Sequence, residues 1–428
     1  MDFSYNMATS KQDNSSTISL TICHCIFAVI SLFLSTFLLA YIYDSSDLSL
    51  YILRVALFTL VKYSAFIVVY HFSSIFVKRT NRVWFYRLGC FLLASLVIVS
   101  IFAGEKLAGI IWLPGLLIGL AEGVYYSAYN VIRQEMVSRK VIGKVNIIIR
   151  LLQQTIEIIF PLIFGTLIDA SSFSMVAIYV LVLWAAQIVV SMFIKSQKAE
   201  DTEYRPVKYL KELKQNKELS KKMNLVYMIC GLYGFSSIAS VMSNICIINQ
   251  WAGDITWFGA FTSISSAVAI LCMLLVSRFT KDGKRSWLFI MIAAVSTIVT
   301  TVYAIWPSIP TIIVYNIGMA IANIIIISYV EVYRNKNLKE AGYYKYIAEH
   351  QTVVETIFCV VRVITAGLLV LIGIAQNITL FYVMLAVTTA IYAMTAVLLM
   401  VYEKKYVKGD LEKVEEPKVE EPKEVTEK

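Results

Sequence analysis

"KSQKAEDTEYRPVKYLKELKQNKELSKK", from Lys195 to Lys222, is the longest connection between hydrophobic runs in the chain, and it contains no run fit for lipid. Six apolar runs precede it, at about 18–43, 51–77, 83–103, 108–132, 145–169 and 175–195. Six more follow, at about 224–248, 255–277, 287–306, 311–332, 346–373 and 379–402. A hydrocarbon core of ~30 Å takes roughly 20 apolar residues as helix, so each run is long enough to cross it. The spacing predicts an all-α polytopic membrane protein whose twelve transmembrane helices form two six-helix bundles. The expected parts are an N-terminal segment 1–17, bundles 18–195 and 224–402, a linker 196–223 and a tail 403–428. The linker's Val207, Leu210 and Leu213 fit either a short amphipathic helix on the membrane surface or a solvated connection. The tail repeat "VEEPKVEEPK" is too charged and proline-rich to bury a core, and it is expected to be disordered.

Composition agrees with this division. Hydrophobic residues make up 58% of the chain and charged ones 16%, with a mean hydropathy of +0.71. The net charge of +9 lies in short clusters between apolar runs, which fits membrane orientation rather than nucleic-acid binding. Basic residues fill alternate loops: Lys78, Arg79, Arg82 and Arg87; Arg133, Arg139, Lys140 and Lys144; Arg278, Lys281, Lys284 and Arg285; Arg334, Lys336, Lys339 and Lys345. The intervening loops hold only Lys106. By the positive-inside bias both termini are expected in the cytoplasm of a multi-pass cell-membrane protein. The first run begins near Ile18 and is too long for a signal-peptide core, so it is expected to remain as a helix. All seven cysteines fall inside apolar runs without zinc-type spacing, which predicts small buried hydrophobes and implies neither disulfide nor metal.

The two halves echo each other. Aligning Gln153 with Gln351 brings Glu157, Ile159 and Phe160 onto Glu355, Ile357 and Phe358, in the fifth helix of each half. A parallel repeat about the membrane normal would produce such a match. Six-plus-six helices, a long basic central loop and cytoplasmic termini make the chain resemble the major facilitator superfamily over residues 18–402. The family's loop after helix two reads Gly-x-Leu-Ala-Asp-Arg-x-Gly-Arg. Here "SIFVKRTNR" keeps Arg79 and Arg82, while Ser74 and Lys78 replace the glycine and the aspartate that latches the cytoplasmic side in family members. The second-half loop "TKDGKRS" keeps Lys281, Gly283 and Lys284. The resemblance implies a monomeric transporter working by alternating access, with helices three, six, nine and twelve on the outside.

Arg54, Lys62, Glu122, Arg150, Glu157, Glu331, Glu355 and Arg362 sit within expected spans. A mid-bilayer charge costs about 2.5–3.5 kcal/mol on insertion scales, so such residues must face protein or water and mostly pair. At 3.6 residues per turn, Arg150, Gln153, Gln154 and Glu157 share a face. Glu122, Tyr125, Tyr126 and Tyr129 do so in helix four, beside a seam of Gly115, Gly119 and Gly123 that also suits plain helix packing. Ser236, Ser240, Ser243 and Asn244 form a softer polar face in helix seven. The expected solute contacts are Arg54, Lys62, Glu122, Tyr125, Tyr126, Tyr129, Arg150 and Gln153. Glu157 and Glu355 are expected level across a cavity, at least one carrying the coupling proton with Arg150 and Arg362 as switching partners; permanent structural ion pairs are the alternative. His24 and His71 read as structural, and His350, beside Glu349 near the cytoplasmic end of helix eleven, is a second choice to the buried glutamates as a proton relay.

No G-x-x-x-x-G-K-[ST] phosphate loop and no nucleophile, base or metal set is present, so an ATP-driven pump or an enzyme is disfavoured. The leading expectation is a secondary transporter of a small polar, charged solute, driven by protons, without cofactor. A multidrug exporter and a non-transporting membrane sensor are the alternatives.

Overall fold

The computed structural model describes residues 2–43, 47–136, 142–195, 203–251, 254–279, 285–340 and 343–407. The first half comprises α1 (Asp2–Leu32, continued through a π turn at Phe33–Phe37 to Tyr41), α2 (Leu48–Arg79), α3 (Arg82–Ala103), α4 (Trp112–Met136), α5 (Ile142–Ala170) and α6 (Phe173–Ser191). The second comprises α7 (Lys217–Gln250), α8 (Ile255–Phe279), α9 (Ser286–Ile305), α10 (Ile309–Glu340), α11 (Ile347–Ala375) and α12 (Ile378–Tyr402). Eleven of these helices are long and apolar enough to cross a membrane. The exception is α4, whose apolar character is diluted by Glu122, three tyrosines and three glycines; its 25 residues still reach about 37 Å.

Packing repeats between the halves. In the first, α2 and α3 both lie on α4 while α3 lies on α6; in the second, α8 and α9 lie on α10 while α9 lies on α12. The bundles meet through α2 on α11 and α5 on α8, pairs that exchange when each helix is replaced by its counterpart in the other half. This is the pseudo-twofold layout of two six-helix bundles. Helices α3, α6, α9 and α12 present outward stripes such as Trp84, Leu88 and Phe91, or Ile298, Val302 and Ile305. An exposed apolar stripe at helical spacing is stable only against lipid.

Two glycine contacts set how closely helices approach. A Cβ on Gly119 would lie 2.3 Å from the Lys62 carbonyl oxygen, so the seam of α4 rests directly on the backbone of α2. A Cβ on Gly259 would lie 2.2 Å from the carbonyl oxygen of Pro161, which brings α8 equally close to α5. Ser263 Oγ accepts a hydrogen bond from Leu162 N (3.1 Å) at the same crossing.

The ends differ from the sequence expectation. Helix α1 begins at Asp2, inside the segment expected to precede it. In the linker a short helix, Pro206–Gln215, starts with proline at its first turn and docks on protein. It buries Tyr209 and Leu213 against Leu219, Met223, Tyr346 and Ile347, leaving Val207 and Leu210 exposed. The apolar face expected from Val207, Leu210 and Leu213 is therefore not the one used, because the Tyr209 ring offers more area to bury. Helix α7 starts at Lys217, within the expected linker, where Asn216 caps it by accepting from Leu219 N. At the other end α12 runs on through a π turn at Glu403–Val407, with Glu403 buried and accepting from the Tyr333 hydroxyl. The expected tail thus begins later than 403, and residues 408–428 lie outside those described.

Candidate functional site

Between the bundles lie two cavities of about 250 and 280 Å³ that share Ser236, Ser240, Asn244 and Asn323. They are neighbouring lobes on either side of α7, which forms a wall of both. The larger lobe faces α1 and α2 and includes Thr59, Lys62 and Tyr63. The other is walled by α5, α7, α8, α10 and α12, with Gln154 and Glu157 on its α5 side. The serine and asparagine face of α7 is therefore the common wall. Asn316 and Asn323, seven residues apart on α10, line the space, as do Thr262 and Ser265 of α8. Their spacing on two helices gives no sequence signal that distinguishes them from ordinary buried polar residues.

The charged residues fall into separate groups. Lys62 Nζ lies 3.1 Å from both oxygens of Glu122, and Ser31 Oγ donates to Glu122 Oε1 at 2.9 Å. The glycine seam explains the pairing, since it brings Lys62 of α2 beside the turn that carries Glu122. Glu157 accepts from Gln154 Nε2 at 3.0 Å and opens to the smaller lobe. Glu355 has the Arg334 guanidinium at 3.8 Å, whereas Arg362 sits over the rings of Tyr63 (5.0 Å) and Phe358 (5.3 Å). The arginine within ion-pair distance of Glu355 thus comes from the neighbouring helix α10 rather than from Arg362. Seven residues along one helix is about 10.5 Å, so a shared face does not by itself bring charges together. The Arg150 side chain lies outside the described residues.

The two glutamates are not at equal positions in their helices. Glu157 falls in the fifth turn of α5 and Glu355 in the third turn of α11, and Glu355 lines neither lobe. Arg54 lies two turns into α2, half-buried, and also lines neither lobe.

The tyrosines of α4 have a different setting. His24 stacks on Tyr129 with centroids 4.0 Å apart, and its Nδ1 is 2.9 Å from the Tyr125 hydroxyl. Gln153 Nε2 lies 2.8 Å from His24 Nε2. As that amide is oriented it donates to Nε2, which leaves the imidazole proton on Nδ1 to donate to Tyr125. Tyr125 also stacks on Phe27 at 3.6 Å. Tyr125 and Tyr129 are buried and Tyr126 half-buried, and none of the three lines either lobe. His24, with no apparent partner in the sequence, is the hub joining α1, α4 and α5.

At the face that carries the linker, Lys78 Nζ lies 2.5 Å from Glu349 Oε1 and donates to the Lys345 carbonyl at 2.9 Å. Arg205 N donates to the same Glu349 oxygen at 2.9 Å. One turn along, Thr352 Oγ1 donates to Ser74 Oγ (3.1 Å). The lysine that replaces the family's loop aspartate therefore meets an acid at the start of α11, so α2, α11 and the linker are tied together with the charges reversed. His350 is buried beside this knot, with Nε2 donating to the Arg334 carbonyl (3.0 Å) and Nδ1 3.1 Å from the Tyr209 hydroxyl.

A sequence profile described as Major Facilitator Superfamily matches residues 18–342, and the chain belongs to that family. Among solved structures, a bacterial homologue of the iron transporter ferroportin in its inward-facing state is similar at a TM-score of 0.63 and 12% identity, over 92% of this chain and 99% of that one. The nucleoside transporter NupG matches at 0.58 and 14% identity, over 91% and 99%. The human organic anion transporter MFSD10 matches at 0.59 and 12%, over 91% and 99%. These likenesses establish the fold. No curated protein matches the sequence. Family and fold together define a multi-pass membrane transporter that moves a small-molecule solute by alternating access.

Proposed function

We propose that this protein is a proton-coupled secondary transporter of a small polar solute in the cell membrane, with the linker and both termini in the cytoplasm. The observation that carries the reading is the interior space between the bundles, lined by hydroxyls and amides with Glu157 at its edge. A carboxylate in a partly dry cavity is a favourable place to load and release a proton, because desolvation and a nearby dipole act on its two states in opposite directions. Glu355 is the second candidate, with Arg334 as the counter-charge whose separation would change its proton affinity. Lys62 is matched by Glu122 in this state, and it reaches an anionic part of a solute only by exchanging that partner. Orientation rests on the basic loops, which share the linker's side. The protein acts as a monomer, since the space is complete within one chain.

The experiment is flux in proteoliposomes under an imposed pH gradient, comparing the wild type with Glu157→Gln and Glu355→Gln. A glutamine at the coupling position abolishes gradient-driven accumulation and leaves solute exchange intact. If both variants concentrate solute like the wild type, proton coupling through these residues is wrong.

A further inference from the structure

Resting on that transport reading, we propose that the solute is a neutral polyhydroxylated molecule of monosaccharide size, held mainly by the C-terminal bundle. The lobe walled by α5, α7, α8, α10 and α12 measures about 250 Å³. That volume suits a ligand smaller than those held in the ~300–1,000 Å³ pockets typical of drug-sized molecules. Among the described residues its wall contains no lysine or arginine, and Glu157 is the only carboxylate there. An anionic solute entering it would lose water without gaining a counter-charge.

The wall's chemistry matches a sugar-like hydroxyl more closely than an ion. Serine hydroxyls and asparagine amides both donate and accept, as alcohol groups do, whereas an ammonium only donates and a carboxylate only accepts. Asn316 Nδ2 donates to Ser265 Oγ at 3.0 Å, but among the described residues its Oδ1 has only Ser243 Oγ at 3.5 Å, so that carbonyl retains capacity for a better donor. Tyr315 is fully buried, lines the same lobe, and its hydroxyl has no partner at hydrogen-bond geometry among the described residues. A buried, unpartnered hydroxyl is costly unless a ligand or water satisfies it. Asn244 lines this lobe as well as its neighbour. The Tyr392 ring and Met319 supply apolar surface for the C–H face of a ring.

The test is equilibrium binding to the full-length protein in lipid nanodiscs. Probes are D-glucose and myo-inositol as neutral polyols, D-glucuronate and D-glucose 6-phosphate as anions, and D-glucosamine as a cation. At least one neutral probe is expected to bind tighter than the charged ones. Asn316→Ala should weaken it by roughly 2- to 12-fold, the fold-change that corresponds to one neutral hydrogen bond. Asn244→Ala, whose side chain is only half-buried, serves as the second variant if Asn316→Ala misfolds. A charged analogue binding tenfold tighter than its neutral parent overturns the proposal, as does failure of both neutral probes to bind. Flux of the bound probe into proteoliposomes separates the two readings. Neutral binding without flux refutes transport while sustaining the solute class, and flux of a charged solute alone does the reverse.

Discussion

Replacing Lys78 with alanine removes the cation from a pair in which Lys78 and Glu349 side chains are 5% and 0% exposed. Breaking a buried pair from one side costs about 3–5 kcal/mol in the state that holds it, because the remaining charge is stranded. Glu349 keeps the Arg205 N–H on the oxygen that Lys78 leaves, so the lower end, about 3 kcal/mol, applies. At 1.4 kcal/mol per tenfold, this shifts the equilibrium roughly 100-fold toward a state in which α2 and α11 part at the linker face. The assay is maleimide labelling of Thr352→Cys, a position 2% exposed beside Ser74. Labelling should accelerate by about two orders of magnitude in Lys78→Ala, and the exchanged pair Lys78→Glu with Glu349→Lys should restore most of the protection. If Lys78→Ala labels within threefold of the parent while remaining folded, the pair contributes no more than a surface salt bridge. The latch is then not a latch.

Three further outcomes follow from particular contacts. Gly119→Ala places a methyl group against the Lys62 carbonyl and should lower the thermal midpoint in detergent by an overpacking cost of about 1–3 kcal/mol, whereas Gly109→Ala, where a Cβ meets nothing within 4 Å, should not. His24→Ala leaves Tyr125 and Gln153 without their shared partner at a cost of about 1–3 kcal/mol, read as loss of thermal stability; an unchanged midpoint would show that the hub is dispensable. The Glu212 carboxylate in the linker helix is held below the usual carboxylate range by the Tyr346 hydroxyl and by Lys345. A depressed acid stabilises the docked helix above its unfolded pKa, and the contribution is lost as pH falls through the lower folded value. Protection of the amides over 206–215, taken relative to their intrinsic exchange rate at each pH, should therefore fall on acidification in the wild type, and Glu212→Gln should remove that change in protection.

Several features were legible in sequence because they depend on solvent rather than on partners. Apolar runs of spanning length, alternating loop charge and a basic connection at mid-chain specify twelve helices and their division, since lipid demands internally satisfied backbone along each run. The glycine seam of α4 was also visible, as was the polar face of α7, because helical period alone aligns such residues. What sequence could not supply was which neighbour each polar face meets. Lys62 and Glu122 are 60 residues apart and Lys78 and Glu349 are 271 apart, so their pairing waits on helix packing. The same limit explains why Arg362, aligned with Glu355 on one helix, rests on Tyr63 of α2 while Arg334 of α10 takes the acid. Periodicity assigns a residue to a face of its own helix. Only the three-dimensional arrangement decides whether that face meets a counter-charge, an aromatic ring or the open cavity, because contact energies act over a few ångströms between segments far apart in the chain.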